Sequence, residues 1–166
     1  MTVQVIALGS RTACDDEVAL LAAERLAGPL GPRARVRLAG RPGPGLVDLL
    51  EPERPTVVMD VIMAGLPPGR VVRIPLHELT DATLAGRPLS SHGFGPAEAL
   101  RLARSLGRSL PPGTFVGIEG HHLTPGQGID PRVEQGIDAM VDAVLAAVAE
   151  LAPATNPGVD PCTSPE

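Results

Sequence analysis

VQVIALGSRTACDDEVALLAAERLAG, residues 3–28, changes its hydrophobic period partway through, and that change decides the fold. Residues 3–8 form a short, β-branched apolar run closed by Gly9, the pattern of a buried strand. Beyond a loop, Val18, Leu21, Ala22 and Leu26 recur at helical spacing, and Gly28 is the expected stop. Strand, loop and helix follow one another within 26 residues, so the next question is whether the alternation repeats.

It does. ARVRLAG (34–40) alternates and reads as a second strand, and GLVDLLEP (45–52) as a short helix closed by Pro52. TVVMDVI (56–62) is a third, buried strand, while the alternation of RVVRIPL (70–76) puts a fourth nearer an edge. PAEALRLARSLGR (96–108) reads as an amphipathic helix with Leu100, Ala103 and Leu106 on one side and arginines on the other. TFVGIEG (114–120) is a fifth strand. PRVEQGIDAMVDAVLAAVAEL (131–151) is a long closing helix, with Pro131 in its first turn and an apolar stripe of Val133, Ile137, Met140, Val144 and Val148. The pattern predicts one α/β domain over residues 1–151, built on a largely parallel five-stranded sheet with helices on both faces. Residues 152–166, rich in Pro, Thr, Asn, Gly and Ser, are expected to be a disordered tail. Ligands of such sheets bind beyond the carboxyl ends of the strands, near the point where strand order reverses.

Composition narrows the function. The chain has 166 residues, 43% hydrophobic and 20% charged, which suits a single soluble domain with a real core. A formal net charge of −5 without a basic cluster argues against a nucleic-acid surface. Lysine is absent and every basic side chain other than histidine is arginine, a coding bias with no functional content. The first residues, MTVQVIALGS, lack a basic segment followed by a long apolar one, and no run is long enough to span a membrane. Cys14 and Cys162 sit near opposite ends and form neither a disulfide framework nor a zinc pattern. A cytoplasmic, reduced enzyme is expected.

Three polar positions fall where a ligand should bind. Asp15 and Asp16 follow the first strand's loop, Asp60 interrupts the apolar run VVMDVIMAG (57–65), and His92 lies in a loop just before a helix. A buried, unpartnered carboxylate is disfavoured by several kcal/mol or takes up a proton, so Asp60 calls for a partner. If the first and third strands are neighbours, the carboxylates face one crevice. Two carboxylates and an imidazole suit a divalent first-row metal. The plainer alternatives are a helix cap for Asp15 or Asp16, backbone amides for Asp60 and a structural loop role for His92. His121 and His122 are adjacent, point apart and read as surface residues; Cys14 reads as a small semi-buried thiol. Neither a G-x-S-x-G elbow nor a phosphate-binding glycine loop is present.

Four segments in order carry a family resemblance: ALGSRTACDDEVA (7–19), VVMDVIMAGLPPG (57–69), SSHGFGPAEAL (90–100) and VGIEGHHLTPGQGIDPRV (116–133). Together they resemble the hydrogenase maturation endopeptidases, which open with a G-x-G-N-like loop and an acidic pair. Those proteins continue with an apolar strand ending in D-A, an S-x-H-G loop and a G-I-E strand. The resemblance implies a three-layer sandwich of the phosphorylase and peptidyl-tRNA hydrolase-like type. It implies an endopeptidase that removes the C-terminal extension of the nickel–iron hydrogenase large subunit after nickel insertion. It also implies that Asp16, Asp60 and His92 are the metal-binding and catalytic residues. The nickel would be presented by the substrate, with no organic cofactor, no nucleic acid and no membrane involved, and the enzyme would be a monomer. The alternative is a metal-sensing or assembly-chaperone protein that binds an immature metalloenzyme without cutting it. Departures from the family pattern are Ala7, Ser10, Glu17 and Val61, and above all GRPGPG (40–45), where the family's D-G-G-T-x-G carries acidic and hydroxyl groups.

Overall fold

The computed structural model describes residues 1–12, 14–81 and 94–152. Among these residues, five strands form one sheet: β1 (Val3–Leu8), β2 (Ala34–Gly40), β3 (Thr56–Ile62), β4 (Val71–Pro75) and β5 (Gly113–Glu119), in the order β2-β1-β3-β5-β4. Every pairing is parallel except β4 with β5, so the antiparallel strand lies at an edge, as its alternation predicts. The strands β1 and β3 are buried along their whole length, which is why they read as continuous apolar runs. The order reverses between β1 and β3, which makes their carboxyl ends the switch point.

Among the described residues, six helices cover the sheet: α1 (Val18–Leu30), α2 (Leu46–Leu49), α3 (Leu76–Leu79), α4 (Pro96–Ser105), α5 (Pro131–Gln135) and α6 (Ile137–Leu151). On one face, Val5, Ala7, Val57, Met59 and Ile118 pack with α1, α5 and α6. On the other, Ile6, Leu8, Val58, Ile62 and Phe115 pack with α2, α3 and α4. This is the three-layer α/β sandwich expected. Strand alternation therefore sends Asp60, between Met59 and Val61, to the α2–α4 side.

Four sequence expectations need correction. The helix α1 runs past Gly28 and through Pro29 to Leu30, because Pro29 sits in the last turn and Leu30 is fully buried; Gly31 is the true stop. The helix α4 ends at Ser105, where Arg108 N–H bonds to the Ala103 carbonyl and Gly107 N–H to Arg104, leaving Leu106 60% exposed. The closing helix is two, α5 and α6, meeting at Gly136, where a Cβ would stand 2.5 Å from the Gly69 carbonyl. Val133, Ile137, Met140, Val144 and Val148 are nonetheless all buried, as their spacing requires. Ala152, assigned to the tail, packs on the core and caps α6 by donating to Val148; residues 153–166 lie outside the described residues.

Candidate functional site

Gly9 begins the site. It ends β1 at φ +140°, and a Cβ there would lie 2.1 Å from the Asp16 carbonyl oxygen, so only glycine lets the chain double back so tightly. Gly9 N–H donates to Gly40, tying the end of β1 to the end of β2. The returning chain forms a 3₁₀ turn, Cys14–Glu17, before α1. Here the acidic pair divides. Asp15 is completely buried and accepts three backbone N–H groups: His121 (2.7 Å) and His122 (2.9 Å) on Oδ2, Asp130 (2.8 Å) on Oδ1. It caps no helix; it fastens the loop after β5 to the loop after β1. Glu17 occupies the α1 cap position and makes no side-chain capping bond. Cys14 is buried, and its thiol donates to the Thr124 carbonyl.

Asp16 faces the other way, into a crevice of about 100 Å³ at the carboxyl ends of β1, β2 and β3. Among the described residues its walls include Leu8, Gly9, Gly40, Arg41, Leu46 and Asp60, with Phe94, Gly95 and Pro96 at the start of α4. Asp16 is 1% exposed, and Arg41 Nε and Nη2 reach its Oδ2 at 2.9 and 2.7 Å. Asp60 is 5% exposed and accepts the N–H of its own successor, Val61, at 2.8 Å. Burial, reinforced by the negative charge of Asp16, pushes the Asp60 carboxyl up to about 8; the Val61 N–H and the charge of Arg41 oppose the rise only in part. Asp60 is therefore protonated at neutral pH, a state that a nearby cation would reverse.

Asp16 and Asp60 thus share one crevice at the switch point. His92 lies outside the described residues, which resume at Phe94 on the crevice wall. Among the described residues, no three His, Cys, Asp or Glu side chains gather as a ready metal cluster. The donor chemistry of the two carboxylates fits a hard or borderline divalent cation that supplies or recruits its remaining ligands.

Two contributors escaped sequence reasoning. Arg41 lies in the divergent segment GRPGPG, and nothing in its neighbours announces an ion pair 25 positions away. Glu119, at the end of β5, is 3% exposed and accepts the N–H groups of Ala64 (3.0 Å) and Gly65 (2.8 Å), fixing the loop that leaves β3 beside Asp60. An acidic residue closing an apolar strand was the available signal, the same one that marked Asp60.

Comparison with known proteins now bears on this arrangement. Residues 21–147 match the model of the HycI hydrogenase maturation protease family. Among solved structures, the chain is 25% identical to the hydrogenase maturating endopeptidase HybD from E. coli, over 90% of this chain and 93% of that one, with a TM-score of 0.74. It is 26% identical to the [NiFe] hydrogenase maturation protease HybD from Thermococcus kodakarensis, over 89% and 99%, with a TM-score of 0.66. No curated protein sequence matches it. The chain belongs to the hydrogenase maturation protease family. Its enzymatic class is that of the peptidases. Among the described residues, no helix is long and apolar enough to cross a membrane.

Proposed function

We propose that this protein is a cytoplasmic, monomeric endopeptidase that removes the C-terminal extension of a nickel–iron hydrogenase large-subunit precursor after nickel insertion. Family membership supports the reaction class, and the observation that carries the rest is the placement of Asp16 and Asp60 in one crevice at the β1/β3 switch point. Nickel belongs to the substrate in this reading: held by the precursor's own thiolates, it is gripped by Asp16, Asp60 and His92. That grip sets the neighbouring peptide in register for hydrolysis and restricts cutting to metal-loaded precursor. One of the two aspartates then takes a proton from the attacking water. A crevice of this size suits an ion and its ligands; a small-molecule hydrolase would need a pocket several times larger.

The test is incubation with nickel-loaded precursor, followed by mass spectrometry of the large subunit. The wild-type protein should yield a shortened product. Asp60→Ala should slow its appearance about 100-fold or more, the scale of losing a positioning contact. Normal processing by Asp60→Ala would remove the assignment. The segment GRPGPG (40–45), which lacks the acidic and hydroxyl groups of the family's pattern, favours a second reading, the non-cleaving assembly chaperone, which predicts stable association with the precursor and no shortened product.

A further inference from the structure

The crevice already contains a cation. Arg41 leaves the end of β2 directly after Gly40, and two of its nitrogens converge on one oxygen of a carboxylate that is 1% exposed. Its own side chain is 46% exposed. A guanidinium stays protonated at every relevant pH, so this charge cannot be removed by losing a proton; it leaves only by moving. Movement is available, because the side chain is long, half in water, and rooted in the loop of Arg41, Pro42 and Gly43 that forms the crevice rim.

A divalent ion and a guanidinium compete for Asp16 Oδ2. They repel each other, and the two Arg41 N–H groups already take up the acceptor sites of Oδ2, so a metal ligated through that oxygen displaces at least one of them. We infer that Arg41 is a displaceable counter-cation that specifies how metal enters: it closes the crevice to dissolved divalent ions and yields only to metal presented within a bound protein. Binding of the precursor's surface supplies what a bare ion lacks, contacts that offset the loss of the Arg41–Asp16 pair. Arg41 is thus a specificity-determining residue, and the inference rests on the metal-recognition reading given above.

The test is calorimetric titration of the full chain with nickel chloride, in parallel with thermal melting. Arg41→Ala and the more conservative Arg41→Gln are both measured, so that a folding defect in one leaves the other informative. At least one folded variant should bind Ni²⁺ tenfold or more tighter than wild type, and adding Asp16→Ala should abolish the gain. Melting temperatures within a few degrees of wild type accompany that result. Unchanged or weaker Ni²⁺ binding in both variants overturns the inference, as does a gain that survives Asp16→Ala. The functional reading is judged separately: if Asp60→Ala abolishes precursor processing while the Arg41 variants gain no affinity, the gate fails and the reading stands. If the variants gain affinity while Asp60→Ala still processes, the reading fails and the gate stands.

Discussion

Asp15 and Asp60 are both acidic, both almost fully buried, and both placed at the carboxyl end of the same sheet, yet they sit in opposite electrostatic worlds. Asp15 is surrounded by three backbone N–H donors and its negative charge is what those donors require. Glu119, with two such donors, belongs to the same class. Asp60 receives the N–H of Val61, faces the charge of Asp16, and holds its proton to about pH 8. The difference teaches that burial alone does not separate a structural carboxylate from a functional one. The number of donors aimed at it does. In the proposed reading, Asp60, given fewer donors than it can use, is held in reserve for the cation that the substrate presents.

The largest departure expected from this contrast is in pH dependence. Asp60 binds its proton more tightly folded, at about 8, than unfolded, near the ordinary value of 3.8. Between those limits the native state carries a proton that the unfolded chain has released, so stability falls as pH rises, by up to about 1.4 kcal/mol per pH unit. Asp60→Asn, which mimics the protonated side chain, should flatten that slope and be more stable than wild type at pH 8. Urea midpoints measured from pH 5 to pH 8.5 check it. Parallel curves for the two proteins would mean that Asp60 is ionised and compensated, and the contrast with Asp15 would vanish.

Asp15→Ala should act in the opposite sense. It strands the N–H groups of His121, His122 and Asp130, the last of them buried, at a cost of about 3 kcal/mol. The loss appears as a lower urea midpoint, and processing falls only as far as the folded fraction does. A variant that folded normally and could not process precursor would move Asp15 to the functional side.

Much of this was readable in the sequence because it depends on neighbours along the chain. Two-residue alternation marked β4 as nearer an edge, and unbroken apolar runs marked β1 and β3 as buried. A carboxylate inside such a run exposed Asp60 at once. What the sequence hid depends on contacts between distant segments. Gly28 and Pro29 spell a helix end, and Leu30 overrides them by filling the core. Leu106 has helical spacing with Leu100 and Ala103, but the chain has already turned away at Ser105. The different fates of Asp15 and Asp16 are set by loops more than 100 residues and about 25 residues away, respectively. Spacing and composition do not tell such adjacent positions apart; only the family resemblance singled out Asp16.

The smallest effect concerns a carboxylate of the structural class that also owns a formal counter-ion. Asp130 caps α5 by accepting the Arg132 N–H at 2.8 Å, and the Arg132 guanidinium reaches both of its oxygens, at 3.0 and 2.8 Å. These bonds hold its carboxyl well below the ordinary carboxylate range. The folded protein therefore releases this proton more readily than the unfolded chain, so the associated stability is fully present above about pH 4 and lost as pH falls through the depressed folded value. Asn caps a helix as well as Asp does, so Asp130→Asn removes the charge and spares the cap. The variant should melt slightly below wild type at pH 7, and the two should converge as the pH is lowered toward 2. A gap that persisted undiminished in acid would show that the Asp130 side chain matters for its shape alone, and that its charge, like that of Asp60, is not what the native structure uses.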